Sequence, residues 1–177
     1  MKYQVVIAGF GGQGAVFLVK LLALCAGNKG IKCLGTENHG MSQRGGAVSC
    51  FIKLGDFSNP VIDSHQANLL IGLEKNEALR NLFYLNDEGI MAVNAVDIDQ
   101  NDVYAKVVQI DAFTSAKKGR FPIQGLNVYM LGVAMANEPN FPFTLDEVTQ
   151  ALRDFNAKIA EQNIEVLMLG FNDARKD

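Results

Sequence analysis

With 177 residues, 49% of them apolar, and a formal net charge of -3, the chain has the size and apolar content of one ordinary domain with a full core. So mild a charge leaves no electrostatic footprint for nucleic acid. The longest apolar stretches are broken by Gly, Lys or Asn before they reach the roughly 18 residues of a membrane span.

The first element is a strand, YQVVIAG, from Tyr3 to Gly9. Met1-Lys2 leads straight into it with no room for a signal peptide, so a cytoplasmic location is expected. The strand runs into FGGQG (Phe10 to Gly14) and then into an apolar stretch that predicts a helix from about Gly14 to Ala26, ended by Gly27. This order places backbone N–H groups at the mouth of a helix, where an anion or a close-packed polar ligand can sit. Gly9, Gly11 and Gly14 match the spacing of the dinucleotide fingerprint, although any tight strand-to-helix turn favours glycine for steric reasons alone.

A short second strand is expected from Ile31 to about Thr36, followed by the polar loop TENHGMSQRGG, Thr36 to Gly46. An imidazole, a hydroxyl, an amide and a guanidinium lie close together there. Two such loops, each after a strand, predict one site edge at the ends of neighbouring strands. Further strands are expected from Ala47 (AVSCFIKLG), Ala67 to Leu73, Gly89 (GIMAVNA) and Val103 (VYAKVVQI). EKNEALRNLFYL predicts a helix between them. QGLNVYMLGVAMAN is apolar nearly all round and predicts a buried helix. TLDEVTQALRDFNAKIAEQN opens on a capping-box pair, Thr144 and Glu147, and a last short helix is expected from Ile164 to Leu169, closing at Gly170. The class is α/β, Rossmann-like, with a mainly parallel sheet covered by helices, and residues 1–177 are expected to form a single domain.

The candidate binding or interface residues are Gly9, Gly11, Gly12, Gln13 and Gly14 in the first loop, and His39, Ser42, Gln43, Arg44, Gly45 and Gly46 in the second. Gln13 offers a donor and an acceptor in one place. Arg44 presents a planar guanidinium suited to a carboxylate or phosphate, beside two glycines that allow close approach. Each has a plainer alternative: glycines that only turn the chain, an arginine and serine that are solvated, a histidine that is structural. Glu74 and Glu77 are expected as ordinary acidic residues of a helix's first turn, and Lys117, Lys118 and Arg120 as a solvated basic run. No nucleophile–base pair stands out, so no catalytic residue is assigned. Cys25, Cys33 and Cys50 are too few for an iron–sulfur cluster, which takes about four thiolates. They form no zinc-ligand spacing with His39 or His65, so no metal ligand is assigned.

Taken together, AGFGGQGAVFLVKLLA, TENHGMSQRGGAVSCFIKLG, ANLLIGLEKNEALRNL and LNVYMLGVAMA resemble the gamma-type subunit or domain of 2-oxoacid:ferredoxin oxidoreductases, over about residues 3 to 171. Within that family HGMSQRGG is most similar to the small subunit of indolepyruvate oxidoreductase. Asn68 departs from the family pattern, where an aspartate is expected. The resemblance implies a subunit inactive alone, in a complex that oxidatively decarboxylates a 2-oxoacid to an acyl-CoA and passes electrons to ferredoxin. It implies thiamine diphosphate, Mg, iron–sulfur clusters and coenzyme A in the complex, none held by this chain alone, with thiamine-binding and iron–sulfur subunits as partners. The competing readings are a free-standing dinucleotide-binding protein, with Glu37 on a ribose hydroxyl, and a purely structural scaffold subunit.

Overall fold

β1 (Lys2–Phe10) is buried along seven consecutive residues and lies inside a six-stranded sheet. Its continuous apolar run suits it to a strand covered on both faces. The computed structural model describes residues 1–40 and 45–175. β2 (Cys33–His39), β3 (Ala47–Gly55), β4 (Ala67–Gly72), β5 (Leu85–Asn94) and β6 (Lys106–Ile110) complete the sheet in the order β2-β3-β1-β4-β5-β6. The pairs β1–β4, β4–β5 and β5–β6 are parallel. β3 runs antiparallel to both its neighbours, β1 and β2, so the other five strands share one direction.

The reversal of β3 follows from its connection. Only residues 40–46 join it to β2, and a parallel return would take a crossover of about a dozen residues or more. β2 extends to His39, so Glu37 and His39 belong to a strand rather than to the loop expected there. Gly40 N–H donates to the Ala47 carbonyl at 2.7 Å, closing the base of the hairpin.

One face of the sheet packs on α1 (Ala15–Asn28) and α4 (Leu126–Asn137), with α5 (Leu145–Phe155) against α1 and α6 (Ala160–Asp173) against α4. Val5, Ile7, Ile52, Leu69 and Ile71 belong to this larger core. The opposite face, with Val6, Ala8, Phe51, Leu70 and Met91, is covered by α2 (Lys75–Asn81) and irregular segments. One of these is held down by Lys53, whose buried ammonium donates to the Val61 carbonyl at 2.6 Å. α3 (Ala112–Lys117) follows β6 and tucks Ala112 and Ala116 into the larger core.

α4 is buried from Leu126 to Ala134, as its all-round apolar sequence demands. The Thr144–Glu147 capping box starts α5. Two expectations change at the C-terminal end. α5 stops at Phe155 because Asn156 adopts an extended conformation, and its side chain accepts from Lys158 N–H at 3.1 Å. α6 then runs on through Gly170 to Asp173 instead of closing at that glycine. Gly170 is an inter-helix contact: a Cβ there would collide with the Tyr129 carbonyl of α4.

Candidate functional site

The carboxyl ends of the parallel strands form the edge that carries the first glycine loop. β1 ends at Phe10, the chain turns through Gly11–Gly14, and α1 starts at Ala15. Gly12 and Gly14 have φ of 91° and 87°, in the left-handed region where a side chain is strained. No side chain caps the start of α1 and its first turn carries no acid, so its first N–H groups meet no competing negative charge from that turn.

The two glycine loops meet directly. Gly11 N–H donates to the Gly46 carbonyl at 2.8 Å, and the end of β1 pairs with the start of β3, Phe10 opposite Ala47. The hairpin base is therefore locked beside the strand-to-helix turn, and the two sequence motifs share one edge. Gly9, Gly11, Gly12, Gln13, Gly14, Gly45 and Gly46 fall within this zone. Ser42, Gln43 and Arg44 lie outside the described residues.

Individual side chains sit differently from their sequence reading. Gln13 folds back on its own loop: its Oε1 accepts from Phe10 N–H at 2.7 Å, while Gln13 N–H donates to the Phe10 carbonyl at 3.1 Å. The amide thus fixes the loop first, and it also lines a small cleft with Gly12, Phe113, Ile123, Gln124 and Leu126, about 280 Å³ in volume. His39 is exposed at the end of β2 and contacts the Glu37 carboxylate at 2.8 Å. Glu37 stands opposite Cys50 of β3. Since β3 intervenes between β2 and β1, Glu37 is displaced by two strand spacings, about 10 Å, from the strand that carries the glycines. In a dinucleotide fold the ribose-binding acid ends the strand beside the glycine strand.

Two asparagines that sequence reading left unassigned hold the edge together. Asn127, buried at the start of α4, donates to the Gly14 carbonyl at 3.2 Å, and its Oδ1 accepts from Val128 N–H at 2.9 Å. A Cβ on Gly14 would run into this amide. Asn94, ending β5, donates to the Leu73 carbonyl at 3.3 Å and accepts from Ala112 and Phe113 N–H groups at 3.0 and 3.2 Å. It stitches the ends of β4, β5 and β6. The available signal was a single amide inside an apolar run, in GIMAVNA and in LNVYMLGV.

A second groove of about 430 Å³ adjoins the first cleft, lined by Gly14, Phe17, Gln124, Asn127, Ile159 and Val166 among others. Around these hollows Phe10, Phe113 and Ile123 are 38%, 46% and 46% exposed. Clustered apolar exposure of this kind marks an interaction surface more often than a scattered residue does. Several of the charged groups singled out in the sequence have structural partners. Arg120 pairs with Asp173 at 2.7 Å, and the Tyr129 hydroxyl donates to the same carboxylate at 2.8 Å. Glu74 caps α2 by accepting Glu77 N–H at 2.8 Å, and Glu77 pairs with Arg80 at 2.8 Å. Burial pushes the Cys25 and Cys50 thiols up to about 12, with Glu147 and Glu37 respectively adding to the shift. Among the described residues no group of three or more His, Cys, Asp or Glu side chains is placed to hold a metal ion, and no helix is long and apolar enough to cross a membrane.

These features define a class: a Rossmann-like α/β domain whose site edge is built of glycines, amides and exposed apolar groups. The chain belongs to the pyruvate ferredoxin/flavodoxin oxidoreductase family, which it matches over residues 4–172. It is 29% identical to the indolepyruvate oxidoreductase subunit IorB of Archaeoglobus fulgidus, covering 98% of this chain and 96% of that subunit. It is 26% identical to the ketoisovalerate oxidoreductase subunit VorA of Methanothermobacter thermautotrophicus, but spans 37% of that longer chain. In fold it is similar to the gamma subunit of keto/oxoacid ferredoxin oxidoreductase from Geobacter sulfurreducens, with a TM-score of 0.79, 18% identity and 99% of both chains covered. It also overlays 30% of a 2-oxoglutarate:ferredoxin oxidoreductase chain from Magnetococcus marinus at a TM-score of 0.75 and 14% identity. These relatives are subunits of oxidoreductases, and the domain occurs among them both as a separate chain and as part of a longer one.

Proposed function

We propose that residues 1–177 form a single gamma-type domain serving as the small subunit of a thiamine-diphosphate-dependent 2-oxoacid:ferredoxin oxidoreductase. In this reading the chain is inactive alone. It joins thiamine-binding and iron–sulfur subunits, with ferredoxin as the electron acceptor of the complex. The observation that carries the reading is the junction of the two glycine loops at one edge, Gly11 on Gly46, ringed by exposed apolar side chains. An edge of this composition suits a site completed by another subunit. Thiamine diphosphate with its Mg, and the clusters, would be held by the partners; the three cysteines here are fewer than the about four thiolates a cluster takes. Coenzyme A is the cofactor this edge would help enclose, because uncapped N–H groups, and a guanidinium such as that of Arg44 in the second motif, suit phosphate oxygens. Ser42 and Gln43 would line the same contact, with His39 at its margin.

Reconstitution with the thiamine and cluster subunits tests the proposal through 2-oxoacid-dependent dye reduction. Arg44→Ala should leave melting almost unchanged, within about 0.5 kcal/mol, and weaken coenzyme A binding or subunit binding by about 2–5 kcal/mol. Normal turnover and normal coenzyme A affinity in that variant would remove Arg44 from the site. Recovery of the chain alone and without iron, in a pull-down from its native host, would overturn the subunit reading. The dinucleotide alternative predicts saturable micromolar NADH binding by the isolated chain, and the displaced position of Glu37 argues against it.

A further inference from the structure

The opposite end of the sheet holds a second, unrelated feature. The amino ends of β1, β4 and β5 and the turn after α4 enclose a polar hollow of about 460 Å³. It lies about 20 Å from the glycine loop, six residues along β1 from Gly9 to Tyr3. Tyr3 and Glu138 form its buried wall, 4% and 7% exposed. The Tyr3 hydroxyl is shut off from solvent and has no hydrogen-bond partner, the one such side-chain atom among the described residues. Its ring is fixed edge-on against Phe141 at 6.2 Å between centroids.

The Glu138 carboxylate accepts a single hydrogen bond, from Asn140 N–H at 2.8 Å, and makes no ion pair among the described residues. Burial pushes the Tyr3 phenol well above its ordinary range, and the negative charge of Glu138 pushes it further, which places the two groups in one electrostatic environment. Asn68, Asn86 and Glu88 line the remaining wall. Asn68 Oδ1 is occupied by Gln4 N–H at 2.8 Å, and Asn86 Oδ1 by Glu88 N–H at 3.1 Å. Lys2 reaches the rim, but its ammonium lies 5.0 Å from the centre of the Phe57 ring and is engaged there.

A buried carboxylate without a cation and a buried hydroxyl without a partner are both destabilising. The hollow carries two carboxylates, Glu138 and Glu88, with Lys2 and Met1 at its rim, and neither carboxylate is ion-paired among the described residues. We propose that it binds a cationic, donor-rich group, a guanidinium or an alkylammonium, held by Glu138 and Glu88 and supported by Tyr3. A guanidinium suits it best, because a planar fork of five N–H donors can serve a carboxylate bidentately while meeting amide oxygens at its edges. The group could be supplied by an arginine of a neighbouring subunit or by a free small amine.

The test uses the full chain and methylguanidinium as probe, followed by NMR at Tyr3, Asn68 and Glu138. Saturable shifts are expected, weakened by at least about tenfold in Glu138→Gln. Tyr3→Phe keeps the ring and its packing and deletes only the unpartnered hydroxyl. It should melt at or above the wild-type temperature yet bind the probe more weakly, a combination that a merely structural tyrosine would not give. In the assembled complex, loss of the probe response assigns the site to a side chain of a partner subunit, and a persisting response assigns it to a free amine. No saturable shift in the free chain, together with unchanged retention of partner subunits by Glu138→Gln, overturns the proposal.

Discussion

The α4–α6 crossing and the carboxyl-edge loop are both built on glycine, and they use it in opposite ways. At the crossing, a Cβ on Gly132 would strike the Leu167 carbonyl and one on Gly170 the Tyr129 carbonyl, so these residues are absent side chains that let two helices touch. At the loop, Gly12 sits at a φ of 91° with no atom within 4 Å of the position a Cβ would take. The crossing needs glycine for what is packed against it, and Gly12 needs it for the path of the backbone. Damage at the first is therefore damage to the fold. A side chain at Gly12 meets no packed neighbour, so beyond its conformational cost it would be felt only by a partner.

The largest effect should come from Gly170→Ala. Forcing a methyl into a backbone contact is overpacking with no flexible neighbour to yield, and should cost about 3 kcal/mol or more. For a domain of this size that lowers the melting temperature by roughly 10 °C. Thiol reactivity gives a second readout. Cys25 and Cys50 are buried and held up to about 12, so only Cys33, half-buried on β2, should react rapidly in the native chain. Gly170→Ala should speed modification of the other two. An unchanged melting temperature would show that the helices can separate freely and would break the comparison.

Gly12→Ala should cost about 1–2 kcal/mol, the penalty of a left-handed conformation, without altering thiol reactivity. Its loss of activity in the assembled complex should exceed what that modest destabilisation explains. Equal loss in stability and activity would make the loop a purely structural turn.

The smallest effect lies outside both regions and serves as a control. Thr144→Ala removes the α5 capping box at a cost of about 1 kcal/mol. The Glu147 carboxyl of that box is held below the ordinary range, first by the hydrogen bond from Lys29 and then by Thr144 N–H. A depressed folded value means that its stabilising contribution is present above the unfolded carboxyl range and is lost as the pH falls through the folded value. Glu147→Gln should flatten that acid limb in melts from neutral to acidic pH, with dye reduction at neutral pH unaffected.

Much of this was legible in the sequence, and the exceptions have physical causes. β1, the buried α4 and the capping box were readable because their residues respond to local rules of burial and capping. The family assignment was readable from the two glycine motifs and the segments around them. The direction of β3 was not read from its composition, since pleating does not distinguish direction; the short 40–46 connection was the usable sign. Gly170 looked like a helix end because a helix contact and a helix terminus both select glycine. Gln13 looked like an outward-facing amide, and only the loop's backbone path shows its Oε1 turned onto Phe10 N–H three residues earlier. Asn127 and Asn94 were invisible as edge-builders because their partners lie 113 and about 20 residues away in the chain.

The central position of β1 also governs how the chain must be made. Val5 faces Ile52 on one side and Leu69 on the other, so the first strand synthesised has no strand partner until much later segments exist. At typical translation speeds of about 5–20 residues per second, the interval between completing β1 and completing β4 lasts on the order of several seconds. Until β3 has also been made, a strand of seven residues destined for burial, all but Gln4 apolar or small, has both edges unpaired. The β2–β3 hairpin, closed locally, is the earliest surface on which that strand can dock, which makes the hairpin the nascent chain's first protection against aggregation.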